Sequence, residues 1–201
     1  MEKTRETYYQ SLFELAAALN SARAPETVLQ SIVEGVAKAM RSKGCSLMLL
    51  SPDRKVLLHT VACGLSDWYV RKGPVSADKS IAEALKGRPV AVLNATEDDR
   101  IQYRKQAQQE GIASILSVPV MLREEIIGVM RVYTTERRDF TYADMYFVGA
   151  AANLGAIALE NARLYDSVKK DYEALRLDLA EWRAALGYEW LAEKSAVPPP
   201  E

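Results

Sequence analysis

Apolar positions along this chain follow helical spacing at both ends and strand spacing in the middle. Between residues 4 and 20, Tyr8, Leu12, Leu15 and Leu19 recur at steps of four, three and four, which predicts an amphipathic helix. Tyr9, Phe13 and Ala16 widen that stripe, so the helix is expected to be covered on two sides, against a sheet and against a neighbour. Pro25 suits a first helical position, and Val28, Leu29, Ile32, Val33, Val36 and Met40 form the inward face of a second helix that Gly44 is expected to close. Residues 45–50 and 56–62 read as two strands joined by the turn chemistry of Pro52, Asp53 and Arg54. Residues 64–74 form a loop or short helix carrying Trp68 and Tyr69. Ser80 and Glu83 have the spacing of a capping box, which opens a short helix that Gly87 closes. Residues 89–93 predict a third strand, and a short helix over 102–110 stops at Gly111.

The strongest strand signal is a pair of runs, 111–120 and 126–133, split by Arg123, Glu124 and Glu125. It predicts an antiparallel hairpin. Apolar residues dominate both runs instead of alternating, so both faces of the hairpin are expected to be covered. Thr141 and Asp144 form a second capping box, which begins a long helix. Residues 149–158 of that helix are crowded with glycine and alanine, so another element is expected to come close there. From Tyr165 onward, Tyr165, Val168, Tyr172, Leu175, Leu179, Trp182 and Leu186 alternate steps of three and four, the seam of a coiled coil. Asp171 and Asp178 then fall at g positions, and Lys169, Arg176 and Arg183 at e positions. A parallel pair sets Asp171 against Arg176 and Asp178 against Arg183, whereas an antiparallel pair opposes like charges. The expectation is a parallel homodimer, with Leu12 of the first helix joining the interface.

Composition narrows the class. The chain has 201 residues, 49% hydrophobic and 26% charged, with a net charge of −1. That balance fits a globular protein and offers no general attraction to nucleic acid or an anionic membrane. No apolar run approaches the roughly 20 residues that span a bilayer, and the first residues lack the apolar core of a signal peptide. The expectation is a cytoplasmic protein with reduced thiols. Cys45 and Cys63 lie too far apart in sequence to suggest a disulfide framework or a metal knuckle. His59 is the sole histidine, so neither a catalytic triad nor a multi-histidine metal site is available, and a sheet-surface or satisfied core histidine is expected. The proline-rich residues 195–201 cannot continue a helix and are expected to be disordered.

Arg131 is the sharpest polar signal. It sits inside Val129-Met130-Arg131-Val132, a strand expected to be covered, with Tyr133 on the same face. A covered guanidinium needs a protein carboxylate, an exposed edge, or an anionic ligand such as a carboxylate or phosphate.

Several of these segments also carry a resemblance. Gly111, Ser114, Leu116, Val118-Pro119-Val120, Ile127-Gly128-Val129-Met130, Phe140 with Asp144, and the ending Ala158-Leu-Glu-Asn-Ala-Arg-Leu-Tyr165 resemble the carboxyl half of a GAF domain. Residues 29–93 are similar in layout to the amino half. The resemblance implies an α+β fold. It has an antiparallel sheet of about six strands, terminal helices on one face, and a small-molecule pocket roofed by short helices on the other. Five strands are placed by pattern, so the sixth is implied by the resemblance. Trp68, Tyr69, Ser80, Asn94 and Tyr103 would line the pocket from the roof, and Arg131 and Tyr133 from the sheet. Asn94 is followed by Ala95, so the cyclic-nucleotide pattern is incomplete. Neither cysteine has the neighbouring histidine of a bilin site, and a haem would have His59 alone as ligand. The cofactor is therefore left unknown.

The layout expected is an N-terminal dimer-bundle helix over 1–24, a GAF-like domain over 25–164, a coiled-coil helix over 165–190 and a tail over 191–201. The function expected is a small-molecule-sensing and dimerisation module in signal transduction. It would lack an output domain of its own and pass its signal to a partner protein. The alternatives are a thiol-dependent reductase of a small sulfoxide or peroxide using Cys63, or a ligand-free dimeric scaffold.

Overall fold

The computed structural model of the chain describes residues 2–20, 24–78 and 82–185. Among these, the helices are α1 (Glu2–Leu19), α2 (Pro25–Ala39), α3 (Asp67–Val70), α4 (Arg104–Gln109) and α5 (Tyr142–Ala185). The strands are β1 (Gly44–Leu50), β2 (Val56–Cys63), β3 (Val75–Ser76), β4 (Val90–Val92), β5 (Ser114–Leu122) and β6 (Glu125–Thr134). They form one six-stranded antiparallel sheet in the order β3-β2-β1-β6-β5-β4. β1 and β6 are therefore central, which is why β6 carries so little polar sequence. Arg123 makes the β5–β6 turn in a left-handed conformation, φ 57°.

Both faces of the sheet are covered. On the near face, Leu47, Leu116, Val118, Met130 and Val132 meet Leu29, Ile32 and Val33 of α2 and Phe147, Val148 and Ala151 of α5. On the far face, the connecting segments fold over Met48, Leu57, Ile115 and Val129, contributing Tyr69, Val75, Ala84, Ile101 and Ala107. This is the α+β architecture that the resemblance implies.

α1 departs from its expected role. Tyr8 and Leu15 are buried and Leu12 and Leu19 half-buried, as the stripe predicts. Their cover is helical rather than the sheet. Tyr8 stacks on Phe147 of α5 with ring centroids 4.2 Å apart, and Leu15 presses on Gly35 of α2. Tyr9 is 72% exposed and Phe13 77%, so the widened side of the stripe has no cover among the described residues. α2 ends at Ala39 with Met40 as its cap, and Arg41 takes the left-handed conformation expected of Gly44. Gly44 instead begins β1, where a side chain would collide with the backbone of Cys63 and Gly64. The capping box expected at Ser80 falls outside the described residues at its first position. Glu83 turns to Lys86 and Arg88, and Ala84–Lys86 is a single 3-10 turn closed by Gly87 at φ 83°.

The second capping box forms as expected. The Thr141 amide donates to Asp144 Oδ2 at 2.8 Å, and the Asp144 amide donates to Thr141 Oγ1 at 3.2 Å. Asp144 Oδ1 also accepts from the Tyr8 hydroxyl at 2.5 Å and from Arg138 Nη2 at 2.8 Å, while Arg138 Nη1 donates to the Met40 carbonyl at 2.6 Å. One carboxylate thus ties α1, the end of α2 and the start of α5 together. Burial alone would raise the Asp144 carboxyl, but these donors outweigh it and hold it below the ordinary range.

The chain divides into two units, the first ending at Glu160 and the second beginning at Asn161. In the second unit Tyr165, Val168, Tyr172, Leu175, Leu179 and Trp182 are all exposed, Leu175 at 57% and Trp182 at 61%. Leu186 lies outside the described residues. Among the described residues no helix is long and apolar enough to cross a membrane.

The small residues of α5 are not equivalent. A Cβ added at Gly155 would sit 3.1 Å from Leu47 Cδ1, whereas at Gly149 the nearest atom is Val118 Cγ1 at 3.7 Å. Gly149→Ala is expected to raise stability by up to about 1 kcal/mol through helix propensity. Gly155→Val is expected to lower it by about 1–3 kcal/mol through overpacking. Urea unfolding of the two variants checks the contrast.

Candidate functional site

Side chains alternate along β6, so Met130 and Val132 face the helices while Arg131 and Tyr133 face away from them. The register places Ser46 of β1 and Ser117 of β5 on either side of Arg131, a polar row across three adjacent strands. Arg131 Nε donates to Ser117 Oγ at 3.1 Å, and the guanidinium also hydrogen-bonds the Tyr133 phenol. The Tyr133 hydroxyl lies 2.9 Å from Ser46 Oγ. Arg131 is 5% exposed on a central strand, so the expected alternative of an edge-exposed arginine does not hold. Burial pushes the Tyr133 phenol above its ordinary value, with Arg131 opposing it.

The roof over this row is fixed by Glu110. Its carboxylate accepts the Ser66 amide at 3.0 Å and the Ser66 hydroxyl, and pairs with Lys43 at 3.4 Å. Burial alone would raise Glu110, but these bonds win and hold it below the ordinary range. Ser66 caps α3, and so sets where Tyr69 lands. The Tyr69 ring meets Tyr133 edge-on at 6.1 Å and Trp68 at 6.0 Å.

Just after α3, Lys72 closes over the same spot. Its Nζ lies 3.7 Å from the Tyr69 ring centroid and 5.6 Å from that of Tyr103. It donates to the Tyr69 carbonyl at 2.9 Å and lies 3.4 Å from His59 Nε2 on β2. Burial lowers Lys72 to about 8, helped by the Arg131 charge and opposed by Glu110. Burial lowers His59 to about 4, and the charges of Lys72 and Arg131 push the same way. His59 Nδ1 is buried with no hydrogen-bond partner among the described residues, so of the expected pair, sheet-surface or satisfied core histidine, the second does not hold.

Of the residues expected to line the site, the fold brings together Tyr69, Arg131 and Tyr133, with Tyr103 at the margin, where its hydroxyl donates to the Pro74 carbonyl at 3.0 Å. Trp68 joins through Tyr69 but is 46% exposed. Asn94 turns its Oδ1 to the Thr96 amide and hydroxyl at 3.2 and 2.8 Å, so its side chain serves its own loop. Ser80 lies outside the described residues. Sequence reasoning missed Ser46, Ser117, Lys72, Glu110 and the placement of His59. The serines were readable as polar residues inside apolar strands, whereas Lys72 left no local signal.

Cys63 faces the helices, not this cluster, and its thiol donates to the Val33 carbonyl at 3.3 Å. The strand register sets it directly opposite Cys45, so the two thiols that lie far apart in sequence are cross-strand neighbours. Burial pushes both thiols up, away from the reactive thiolate.

A family model described as GAF domain matches residues 22–160. A curated relative, the methyl sulfide methyltransferase-associated sensor of Methanosarcina acetivorans, is 25% identical over 139 residues. That match covers 66% of this chain and 14% of the relative, a far longer protein. Among solved structures, the GAF domain of a phosphoenolpyruvate-protein phosphotransferase from Coxiella burnetii aligns with a TM-score of 0.72 at 18% identity, covering 81% of this chain and 98% of that one. The GAF domain of the Acinetobacter phosphoenolpyruvate-protein phosphotransferase aligns with a TM-score of 0.65 at 24% identity, covering 78% and 94%. At these identities the structural likenesses carry the fold alone.

The depressed His59 gives a pH dependence. The unfolded chain binds a proton there near pH 6.5 and the folded chain only near 4. The unfolded state therefore binds more protons between those values, so the His59 contribution to stability is full above 6.5 and is lost as pH falls toward 4. The loss is on the order of 2–3 kcal/mol. Urea unfolding of His59→Gln is expected to show that limb flattened.

Proposed function

The chain belongs to the GAF domain family, and from that premise we propose that it is a sensory module in signalling. A small molecule is held on the far face of the sheet. Two copies pair in parallel through the seam of α5, and the response passes to a partner protein through those helices. The observation that carries the first part is the buried polar row of Ser46, Arg131 and Ser117, roofed by Tyr69 and Lys72. Placing a guanidinium there costs stability that an apolar residue would not, so its presence favours a binding role. The name of the Methanosarcina acetivorans relative, a sensor, supports the same reading.

Pairing is supported by the seam residues from Tyr165 to Trp182, which are exposed in the single chain. Apolar side chains at regular spacing on one helix favour a partner helix. Exposed Tyr9 and Phe13 of α1, beside Leu12, offer apolar surface of their own to a second copy. The second helix of the pair is a copy of α5, because the charges Asp171 and Arg176 are complementary when two such helices lie parallel. Ligand binding acts on α5 through its close packing at Gly155 on Leu47 of β1, whose alternate side chains face the bound molecule.

The reductase alternative is disfavoured, since Cys63 lies on the helix-covered face and its thiol is held protonated by burial. Native mass spectrometry of freshly purified protein tests both halves of the proposal. The expected result is a dimer carrying a retained small molecule, reduced to a monomer by Leu175→Asp with Leu179→Asp. A wild-type monomer at micromolar concentration contradicts the pairing.

A further inference from the structure

Resting on the reading of the far face as a small-molecule site, we propose that its ligand is a small organic oxyanion. Its carboxylate or phosphate oxygens sit between Lys72 and His59, above Arg131, and its apolar part lies against Tyr69 and Tyr103.

The tautomer of His59 is the first argument. Its Nε2 faces the Lys72 ammonium, a donor, at 3.4 Å, so that nitrogen carries the lone pair and the ring proton sits on Nδ1. Nδ1 is the buried atom without a partner among the described residues. A buried N–H lacking an acceptor is unfavourable by about 1–3 kcal/mol. An oxygen that takes the Lys72 ammonium from Nε2 frees the ring to turn its Nδ1–H toward that oxygen, which supplies the acceptor.

The charge around the spot is the second. Three basic side chains converge from three places: His59 from β2, Lys72 from the segment after α3, and Arg131 from β6. Facing them are the phenols of Tyr69 and Tyr133, both pushed up by burial and so uncharged. Tyr103 brings its ring to Lys72 and spends its hydroxyl on the Pro74 carbonyl. Among the described residues, the carboxylate within electrostatic reach of Lys72 is Glu110, already bonded to Ser66 and paired with Lys43. Among the described residues the basic groups at this spot outnumber that carboxylate. Burial lowers Lys72 and His59 first and the Arg131 charge adds to it, so an anion between them opposes both effects.

The Lys72 ammonium and the His59 imidazole N–H offer donors, and the Arg131 guanidinium adds its charge. Oxyanions accept from several donors at once, whereas a neutral ligand gains little from the charges. The aromatic flank of Tyr69 and Tyr103 favours an organic anion over an inorganic one.

The chain holds one histidine, so the imidazole nitrogen–proton correlation spectrum reports on His59 alone. Titrating the wild-type protein with inorganic phosphate, benzoate and the neutral isostere benzyl alcohol at matched ionic strength tests the proposal. Saturable shifts of the His59 signals with benzoate or phosphate are expected, with its titration midpoint raised by about one pH unit or more. The phosphate and benzoate arms distinguish the two headgroups. Lys72→Met, with its amide spectrum otherwise unchanged, should weaken anion binding at least about tenfold, the equivalent of one lost charged hydrogen bond. No saturable shift with either anion overturns the proposal. If benzyl alcohol saturates the site as well as benzoate does, and Lys72→Met leaves benzoate binding unchanged, the small-molecule site stands while its anion selectivity falls.

Discussion

A guanidinium in the middle of a six-stranded sheet constrains everything on that side of the molecule. Arg131 lies on β6, paired on both flanks, and is almost fully buried. A charge removed from water is tolerated only where polar groups surround it. The register supplies a serine on each neighbouring strand, and Tyr133 adds a phenol two residues along the same face. The long connections between β2 and β4 and between β4 and β5 are then drawn over the sheet to make a roof. Glu110 pins that roof through Ser66 and Lys43, on the side from which Tyr69 and Lys72 reach inward. The far face is thus polar at its centre and apolar at its rim.

The near face answers to a different demand. Met130 and Val132, one residue either side of Arg131, meet a layer in which small side chains of α5 let the helix settle onto β1. That layer is locked at one point by Asp144, which joins α1, the end of α2 and the start of α5. A single strand therefore presents a charge to one compartment and a tight apolar seat to the other. This alternation sets the polar row of the far face one residue away from the packing of α5 on the near face.

Much of this was legible along the chain, where the signal was local. The hairpin of β5 and β6 follows from its two apolar runs, the start of α5 from Thr141 and Asp144, and the stops at Gly87 and Gly111 from their left-handed conformations. Arg131 stood out because a charge interrupts an apolar strand. What was not legible depended on register and on long connections. β3 has two residues, too few for any period to show. Cys45 and Cys63 meet because β1 and β2 pair in one register, with a shift between Leu47 and Met48 that also turns His59 to the far face. Lys72 reaches its place through the capping of α3 by Ser66, a contact settled by Glu110 more than forty residues away. The left-handed Arg41, in the role expected of Gly44, shows the limit of reading glycine as a helix stop when a strand crossing needs it more.

The central claim is that Arg131 is kept for what binds beside it rather than for the fold. Equilibrium unfolding of Arg131→Met, in protein stripped of small molecules, measures this most directly. The account predicts a stability within about 1 kcal/mol of wild type, because an apolar side chain of similar length replaces a desolvated charge. A loss of about 3 kcal/mol or more would contradict it, marking the guanidinium as a structural partner whose removal leaves the sheet unsatisfied.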